Sequence, residues 1–501
     1  MVDLNALTTW HTEAWRDVHA VVFGAGVSGF SVADTLTELG AQVTVIDTNP
    51  DEQRAALLDV IGAQLVIAEA DDPPQQIDSA DIVITSPGLP PHHPWLQRAA
   101  ELGIPVWGDI ELAWRVRDKV RAADWLVVTG TNGKTTTVQL TAHMLLRAGF
   151  KVAPVGNIGT PVLDAVRDPE GFDVLVVELS SFQLHTLGEI SPHSAAVLNI
   201  ADDHIDWHGS SEAYRDAKAK VFHLVRHAAV FSLDDHATER MVEEADVVEG
   251  ARAIGFGTGI PGPSDFGIVD DVLVDRAFLE DRHTSALEIG ALEDLEQGGL
   301  RSPHMARNAL AAAALARSYG APVEAVRDAL RTFRPDAHRT QRLGTIGGVE
   351  YVDDSKATNP HAASGSLTAF EHVVWIVGGL LKGVDIEPLV ERVAPRLRAA
   401  VVIGAERDAV LGALRRHASE VPVVEVDEVD TEHVMQCAVE RASEFAAPGD
   451  TVLLAPAAAS MDQFVSYADR GDRFQQAVRA RAAKERGGAD ETGHSDPAAG
   501  S

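Results

Sequence analysis

The chain has 501 residues, 45% of them hydrophobic, with 75 Asp and Glu against 42 Lys and Arg for a formal charge of −33. That length exceeds what one hydrophobic core organises, so two to four domains are expected. The charge argues against a DNA or RNA backbone as partner, since phosphate contacts need clustered Lys and Arg; the single cysteine, Cys437, excludes a disulfide framework and a thiolate metal cluster.

Cys437 lies in the helical pattern VMQCAVERA and is expected to be a buried small side chain. The opening MVDLNALTTWHTEAWRD lacks the basic, apolar character of a signal peptide, and no run approaches the roughly 18 apolar residues of a membrane span. A soluble, cytoplasmic, monomeric protein with no membrane or nucleic-acid partner is expected.

Residues 1–115 begin with HAVVFGAGVSGFSVADTLTELGAQVTVID. A strand at 20–23 runs into Gly24, Gly26 and Gly29, a helix follows, and a second strand at 43–46 ends at Asp47. This is close to a dinucleotide fingerprint, and a nucleotide-shaped domain with a changed ligand fits equally well. Further βα units at ADIVITSPG (80–88) and IPVWG (104–108) bring the total to four or five strands, too few for a complete dinucleotide fold.

Residues 116–335 open with DWLVVTGTNGKTTT. An apolar strand feeds the turn Gly130–Gly133, and a helix follows with Leu140, Met144 and Leu145 on one stripe. Backbone N–H groups of such a turn wrap a phosphate chain. Lys134 then reaches the outer phosphates and the Thr135 hydroxyl sits on magnesium. Val128 stands where the longer P-loop consensus has glycine, so the loop is a shortened variant. DVLVVE (173–178) reads as a central parallel strand delivering Glu178 at its C-terminal end, and a strand-end acid that only caps the next helix is the alternative. SAAVLNIADDHIDWH (194–208) delivers Asp202, Asp203, His204 and Asp206, with Asp203 and His204 candidates for a second metal site. Lys218 and Lys220 do not face the same way on a helix, so one turns inward. Residues 250–300 read as peripheral strands and loops, and HMARNALAAAALARSYG (304–320) as a helix.

Residues 336–485 restart the rhythm, with strands at 348–355, 373–379, 398–404, 421–426 and 450–457, giving a third α/β domain with a mostly parallel sheet. The junction falls near Phe333–Arg339, where Pro335 disfavours helix at Arg334. Three strand exits carry lone polar groups on small-residue loops: DDSKATNP (353–360), GGLLKG (378–383) and APAAASMDQF (455–464). Such exits suit an anionic amino-acid pocket, and helix caps and turns are the plainer alternative. His338 and Arg339 precede them, offering a guanidinium for a phosphate or carboxylate. Residues 486–501 are polar and small and read as a disordered tail.

GAGVSG, SPGLP, GDIEL, GTNGKTTT, GNIG, ELSSFQL, DDHIDWHG, YRDAK, HR, DDSKATNP, GGLLKG and SMDQF, in this order over residues 15–483, resemble the Mur ligase family of ATP-dependent amino-acid ligases in peptidoglycan synthesis. Within it, ELSSFQL, the dinucleotide-like first domain and the DSKATN/SMDQF pair favour the member that joins D-glutamate to UDP-N-acetylmuramoyl-L-alanine. The resemblance implies that the first domain takes the UDP end of the sugar nucleotide rather than NAD, with Val27, Ser28, Asp47, Thr48, Ser86 and Gly88 beside it. Asn157 and His204 would lie on the substrate side of the site. Gly130, Thr131, Asn132, Gly133, Lys134, Thr135, Thr136, Asn308, Arg339, Asp354 and Lys356 would bind ATP. Thr135, Glu178, His204 and a carbamylated Lys218 would organise two magnesium ions, and Lys134, Glu178, His204 and Lys218 would be catalytic. D-Glutamate would be held by Thr358, Lys382, Ser460, Met461 and Tyr467. The third domain would close over a water-sensitive acyl phosphate.

The chain departs from the family pattern at Met305, where the helix usually starts His-Asn, and residues 250–300 match no motif. A sister Mur ligase or a folylpolyglutamate-type ligase is the alternative within the class. An NAD-sensing binding module with a vestigial P-loop is the alternative outside it.

Overall fold

The computed structural model of the chain describes residues 7, 13–117, 121–297, 300, 302–427 and 431–491. Three sheets appear, one in each of the three α/β segments. The first contains β1 His19–Phe23, β2 Gln42–Asp47, β3 Gln64–Ile67, β4 Ile82–Thr85 and β5 Val106–Gly108, all parallel in the order β3-β2-β1-β4-β5. The apolar run AVVF of β1 is buried because helices cover both faces of the sheet. Among the glycines after β1, Gly29 serves packing: a Cβ on it, in the first turn of helix Val27–Glu38, would lie 1.9 Å from the Gly24 carbonyl oxygen.

The second sheet has nine strands: β6 Asp124–Thr129, β7 Val152–Gly156, β8 Val174–Glu178, β9 Ser194–Val197, β10 Ala228–Ser232, β11 Arg252–Phe256, β12 Asp265–Val269, β13 Val272–Asp275 and β14 Leu287–Ala291. Their order is β14-β13-β12-β11-β10-β9-β6-β8-β7, parallel except for the β12–β13 and β13–β14 pairs. β6 therefore lies inside the sheet, flanked by β8 and β9. Helices Lys134–Arg147 and Pro303–Ser318 share its main apolar cluster, the second with alanine along most of its length. The unmatched stretch 250–300 supplies β11–β14 and helix Leu292–Gln297.

The third sheet has six strands: β15 Gln341–Ile346, β16 Val349–Asp353, β17 Val373–Val377, β18 Leu397–Val402, β19 Val423–Glu425 and β20 Thr451–Leu454, in the order β15-β16-β20-β17-β18-β19. Only β15–β16 is antiparallel. β15 is absent from the sequence expectation because QRLGTI, an edge strand, carries no apolar face to announce it. The first two sheets belong to one compact unit ending at Arg334. The third belongs to another that starts at Pro335 and also takes in Ala201–Asp206 and Ser302–His304.

Two local expectations need correction. Cys437 is only half-buried, on the rim of an apolar cluster. The last helix, Tyr467–Glu491, runs past residue 485 into the stretch expected to be disordered, and 492–501 lie outside the described residues. No helix among the described residues is long and apolar enough to cross a membrane.

Because the atom that a Gly29 side chain would strike is backbone, it cannot rotate away. Gly29→Ala is expected to lower unfolding stability by more than about 2 kcal/mol in a urea titration. A change within about 0.5 kcal/mol would mean that the helix shifts freely over the β1 exit.

Candidate active site

β6 ends at Thr129, and the chain turns through Gly130 (φ 148°) and Gly133 (φ 86°) before helix Lys134–Arg147 starts. Both angles lie where a side chain is strained. Space is closed as well: a Cβ on Gly130 would sit 3.0 Å from Leu198 Cβ, and one on Gly133 would sit 2.4 Å from Asn308 Oδ1. Asn308, expected among the ATP-binding residues, thus packs directly against the glycine turn.

The turn is pinned by groups the sequence did not single out. Asn132 N donates to Asn199 Oδ1 at 2.9 Å, and Asn199 Nδ2 donates to Asn132 O at 3.0 Å. Thr131 N donates to Asn199 O at 2.9 Å, and the Thr131 and Tyr214 hydroxyls are 2.9 Å apart. The only sequence signal for Asn199 was its place at the end of the AAVLNI strand pattern.

Two lysine amines meet on one carbonyl. Lys134 Nζ donates to Gly130 O at 3.0 Å and to Thr131 O at 2.9 Å. Lys218 Nζ donates to Gly130 O at 2.8 Å and to Thr129 Oγ1 at 3.2 Å, over the Tyr214 ring at 4.9 Å. Lys218 is 1% exposed whereas Lys220 lies on the surface and donates to His185 O, which decides which lysine turns inward.

Glu178 ends β8 in register with Val128 of β6. It is 2% exposed. Its Oε1 accepts from Asn157 Nδ2 at 3.2 Å, and Asn157 N donates to Glu178 O at 2.9 Å, which ties the GNIG turn to the strand end. Its Oε2 is buried without a hydrogen-bond partner among the described residues. A buried carboxylate oxygen left unpaired is costly, and a hard cation relieves that cost, so the donor set fits magnesium. No cluster of three His, Cys, Asp or Glu able to hold a metal occurs among the described residues, and magnesium needs only one or two carboxylates because water and phosphate oxygens fill its other positions. Thr135 is half-buried at the helix start; Thr136 is buried, its hydroxyl without a hydrogen-bond partner among the described residues.

The DDHIDWH stretch follows β9, which borders β6 and not β8. Ala201–Asp206 is grouped with the second unit, where Asn359 Nδ2 donates to Asp203 Oδ2 at 3.1 Å. Asp203 Oδ1 accepts from His204 N, and His204 holds a positive φ of 53°.

In the first sheet Asp47 serves the glycine loop: Oδ2 accepts from Ala25 N at 2.6 Å and Oδ1 from Asn49 N at 2.8 Å. Ser86 presses on the same loop, its hydroxyl buried and unpartnered among the described residues, while Val27, Thr48 and Gly88 are exposed and Ser28 is half-buried.

In the second unit β20 lies between β16 and β17, so the three polar strand exits become neighbours at the carboxyl edge, where α/β sheets bind ligands. Ala457 N donates to Ala357 O, and Leu380 and Ala459 exchange a pair of backbone bonds. Lys356 Nζ lies 3.8 Å from the Tyr467 ring centre, a cation–π contact. Thr358 is held by its N–H to Lys356 O, Lys382 has φ 53°, Ser460 is buried and Met461 is 70% exposed. The Asp and Gln of SMDQF are spent on structure: Asp462 accepts from Ala405 N and Gln463 Oε1 from Gly404 N.

Arg470, another residue not foreseen, is fully buried; Nε donates to Ser355 Oγ and Nη atoms donate to Ser355 O and Ala458 O. Burial pulls its guanidinium down to about 10. His338 is buried and bonded through Nδ1 to Asp353 Oδ2 at 2.7 Å, which raises its pKa, so of the HR pair only Arg339 is open to a ligand.

A glycine turn at a parallel strand exit, a lysine at the helix start and a buried carboxylate beside it define a P-loop enzyme that uses a nucleoside triphosphate. Comparison with known proteins narrows this. Models of the Mur ligase middle domain, the Mur ligase MurD-like N-terminal domain and the Mur ligase glutamate ligase domain match residues 128–316, 18–108 and 338–458. A UDP-N-acetylmuramoylalanine–D-glutamate ligase from Leifsonia xyli subsp. xyli is 60% identical over 490 residues, covering 95% of each chain. One from Streptomyces coelicolor is 52% identical over 466 residues, covering 92% of this chain and 98% of its own. In fold, the chain is similar to a pseudomurein peptide ligase type C from Methanothermus fervidus, with TM-score 0.56, 17% identity, and coverage of 93% of this chain and 100% of that one. The chain belongs to the Mur ligase family.

Asp354 is buried, accepts from Thr340 N at 3.0 Å, and burial pushes its carboxyl up from 3.8 to about 6. Since the folded value is raised, the linked stability is fully present below pH 3.8 and is lost as pH rises through about 6. Asp354→Asn, neutral throughout, is expected to gain on the wild type by about 3 kcal/mol across that window, read from urea unfolding at both ends. An offset that does not change with pH would contradict a buried charge at this position.

Proposed function

We infer that the chain is an ATP-dependent ligase that joins D-glutamate to UDP-N-acetylmuramoyl-L-alanine, releasing ADP and phosphate, in peptidoglycan synthesis. The observation that carries this is the similarity to D-glutamate ligases at 60% and 52% identity over more than nine tenths of the chain. Two of its three substrates, ATP and the sugar nucleotide, are nucleotides, and the reaction belongs to the cytoplasm.

The alanyl carboxylate attacks the γ-phosphoryl group; a carboxylate O–P bond forms as the β–γ P–O bond breaks and ADP leaves. The neutral amine of D-glutamate then adds to the acyl carbon, loses its proton, and the tetrahedral adduct expels phosphate to leave the amide. Anion attacking anion needs positive charge and oriented N–H groups more than it needs a general base. Lys134 and the backbone N–H groups at the start of its helix supply them, since those of Thr131 and Asn132 are taken by Asn199. Lys134 Nζ now rests on its own loop carbonyls and exchanges those bonds for phosphate oxygens. Arg339, Asp354 and Lys356 complete the ATP side with Asn308, and Asn157 and His204 face the sugar nucleotide, whose uracil end is held near Val27, Ser28, Asp47, Thr48, Ser86 and Gly88. Thr358, Lys382, Ser460, Met461 and Tyr467 take D-glutamate, with Lys382 matched to its side-chain carboxylate.

Magnesium, when bound, neutralises charge on the phosphates. Two ions would be held by Thr135, Glu178, His204 and a carbamate on Lys218. The unpaired Glu178 Oε2 supports the carboxylate ligand. The buried Lys218 amine supports the modification: a carbamate formed there with CO2 keeps an N–H for Gly130 O while presenting hard oxygens.

Phosphate release from magnesium-ATP with UDP-N-acetylmuramoyl-L-alanine tests the function. Turnover is expected with D-glutamate and not with L-glutamate, glycine or meso-diaminopimelate; turnover with another of these moves the amino-acid pocket to a sister ligase. Lys134→Ala and Lys218→Ala are each expected to lower kcat by at least about 10³-fold. After incubation with 13C-bicarbonate, NMR is expected to show a carbamate signal that Lys218→Ala lacks. A fully active wild type with no such signal would leave Lys218 as an amine and remove it from the metal site.

A further inference from the structure

GDIEL, residues 108–112, has no part in the chemistry above, yet its Asp109 is buried and reaches the helix that follows Glu178. β5 leads into helix Asp109–Arg115, and Asp109 is 7% exposed. Asp109 Oδ2 accepts from Gln183 Nε2 at 3.1 Å. The other end of the Gln183 amide is used too: Oε1 accepts from Ser180 N at 3.1 Å, while Ser180 Oγ accepts from Gln183 N at 3.2 Å, a complete capping box.

Ser180 is two residues beyond Glu178. Leu179 between them is held on the P-loop strand, its carbonyl accepting from Thr129 Oγ1 at 2.8 Å and its N–H donating to Val128 O at 2.9 Å. Glu178, Leu179, Ser180 and Gln183 are thus each held by hydrogen bonds, and the far end of the Gln183 amide is held by Asp109 in the helix that follows β5. The joint has no room to slide. A Cβ on Gly108 would meet Thr186 Oγ1 at 2.6 Å, one on Gly188 would meet the Glu111 carboxylate at 2.8 Å, and Glu111 Oε2 accepts from Gly188 N.

A buried carboxylate is a costly way to join two surfaces, and burial pushes Asp109 up to about 6 despite hydrogen bonds from the Gln183 amide and the backbone of Ile110 and Asp109. Apolar packing would serve for cohesion alone. What the polar pair adds is direction, since a hydrogen bond holds one angle and one distance. We propose that Asp109 and Gln183 are positioning residues that align the first sheet with the Glu178 strand exit, so that the acceptor carboxylate carried by the sugar nucleotide meets the γ-phosphoryl group. This rests on the sugar nucleotide being bound by the first sheet. A displacement of about 1 Å at such a junction is enough to cost about 10²-fold in rate.

The test is steady-state kinetics on the full chain, varying each of the three substrates, with a thermal melt for every variant. Asp109→Ala and Gln183→Ala are each expected to lower kcat about 10- to 100-fold, with KM for D-glutamate within about twofold. The double variant is expected to fall no further than either single one, because both remove the same bond. Asp109→Asn, whose amide oxygen still accepts from Gln183, is expected to stay within about threefold of wild type. Gln183→Glu sets two carboxyls face to face and is expected to be poor, and Asp109→Asn/Gln183→Glu, with the bond reversed, to recover. Losses that multiply in the double variant, or no recovery in the reversed pair, would overturn the proposal even if Asp109→Ala itself fails to fold. A wild type that releases no phosphate with the sugar nucleotide and D-glutamate would instead strike at the function on which the proposal rests.

Discussion

The carbonyl oxygen of Gly130 accepts hydrogen bonds from both Lys134 and Lys218, and the nucleotide-binding edge of the first unit is organised around that oxygen. A carbonyl has two lone pairs, so two donors saturate it and leave the turn one orientation. Lys134 comes from the helix the turn begins and Lys218 from a helix more than 80 residues later. Their meeting point holds β6, its turn and the Tyr214 helix together. Asn199 does the same for the next residues from the neighbouring strand. The turn is thus built before any phosphate arrives, which is the preorganisation that electrostatic catalysis requires.

The second unit solves a comparable problem without a glycine-rich phosphate loop. Its last strand, β20, inserts between β16 and β17, and backbone bonds stitch the three exits side by side. Arg470 completes the stitching from below. Among the described residues it has no carboxylate in direct contact, and it is satisfied by carbonyls and a hydroxyl of two different exits. A buried guanidinium with five N–H donors suits that task, because it bridges several acceptors in fixed geometry where an ammonium would act as a point charge.

Much of this was legible in the chain. Continuous apolar runs announced β1, β6, β8, β17 and β20, since buried parallel strands need apolar residues on both faces. Glycines at 24, 26, 29, 130 and 133 announced the turns, and the order of a dozen motifs pointed to the family. The edge strand β15 and helix Leu292–Gln297 were not announced, because half-exposed elements carry weak periodicity. Arg470 was hidden for a different reason. Its burial is decided by two loops more than 100 residues apart in sequence, and no local pattern encodes that.

The sequence by itself determined which chemistry the chain carries: a phosphate turn, a carboxylate at a strand end, an inward lysine and three polar exits are all local, because each depends on residues a few positions apart. Only the tertiary structure decided what those groups touch. It chose Lys218 over Lys220, set Asn308 against Gly133, turned Asp47 to the glycine loop and joined Asp109 to Gln183. Such pairings depend on which strands become neighbours in a sheet. Strand order is fixed by the competition of whole elements for one core, and no single stretch of sequence contains it.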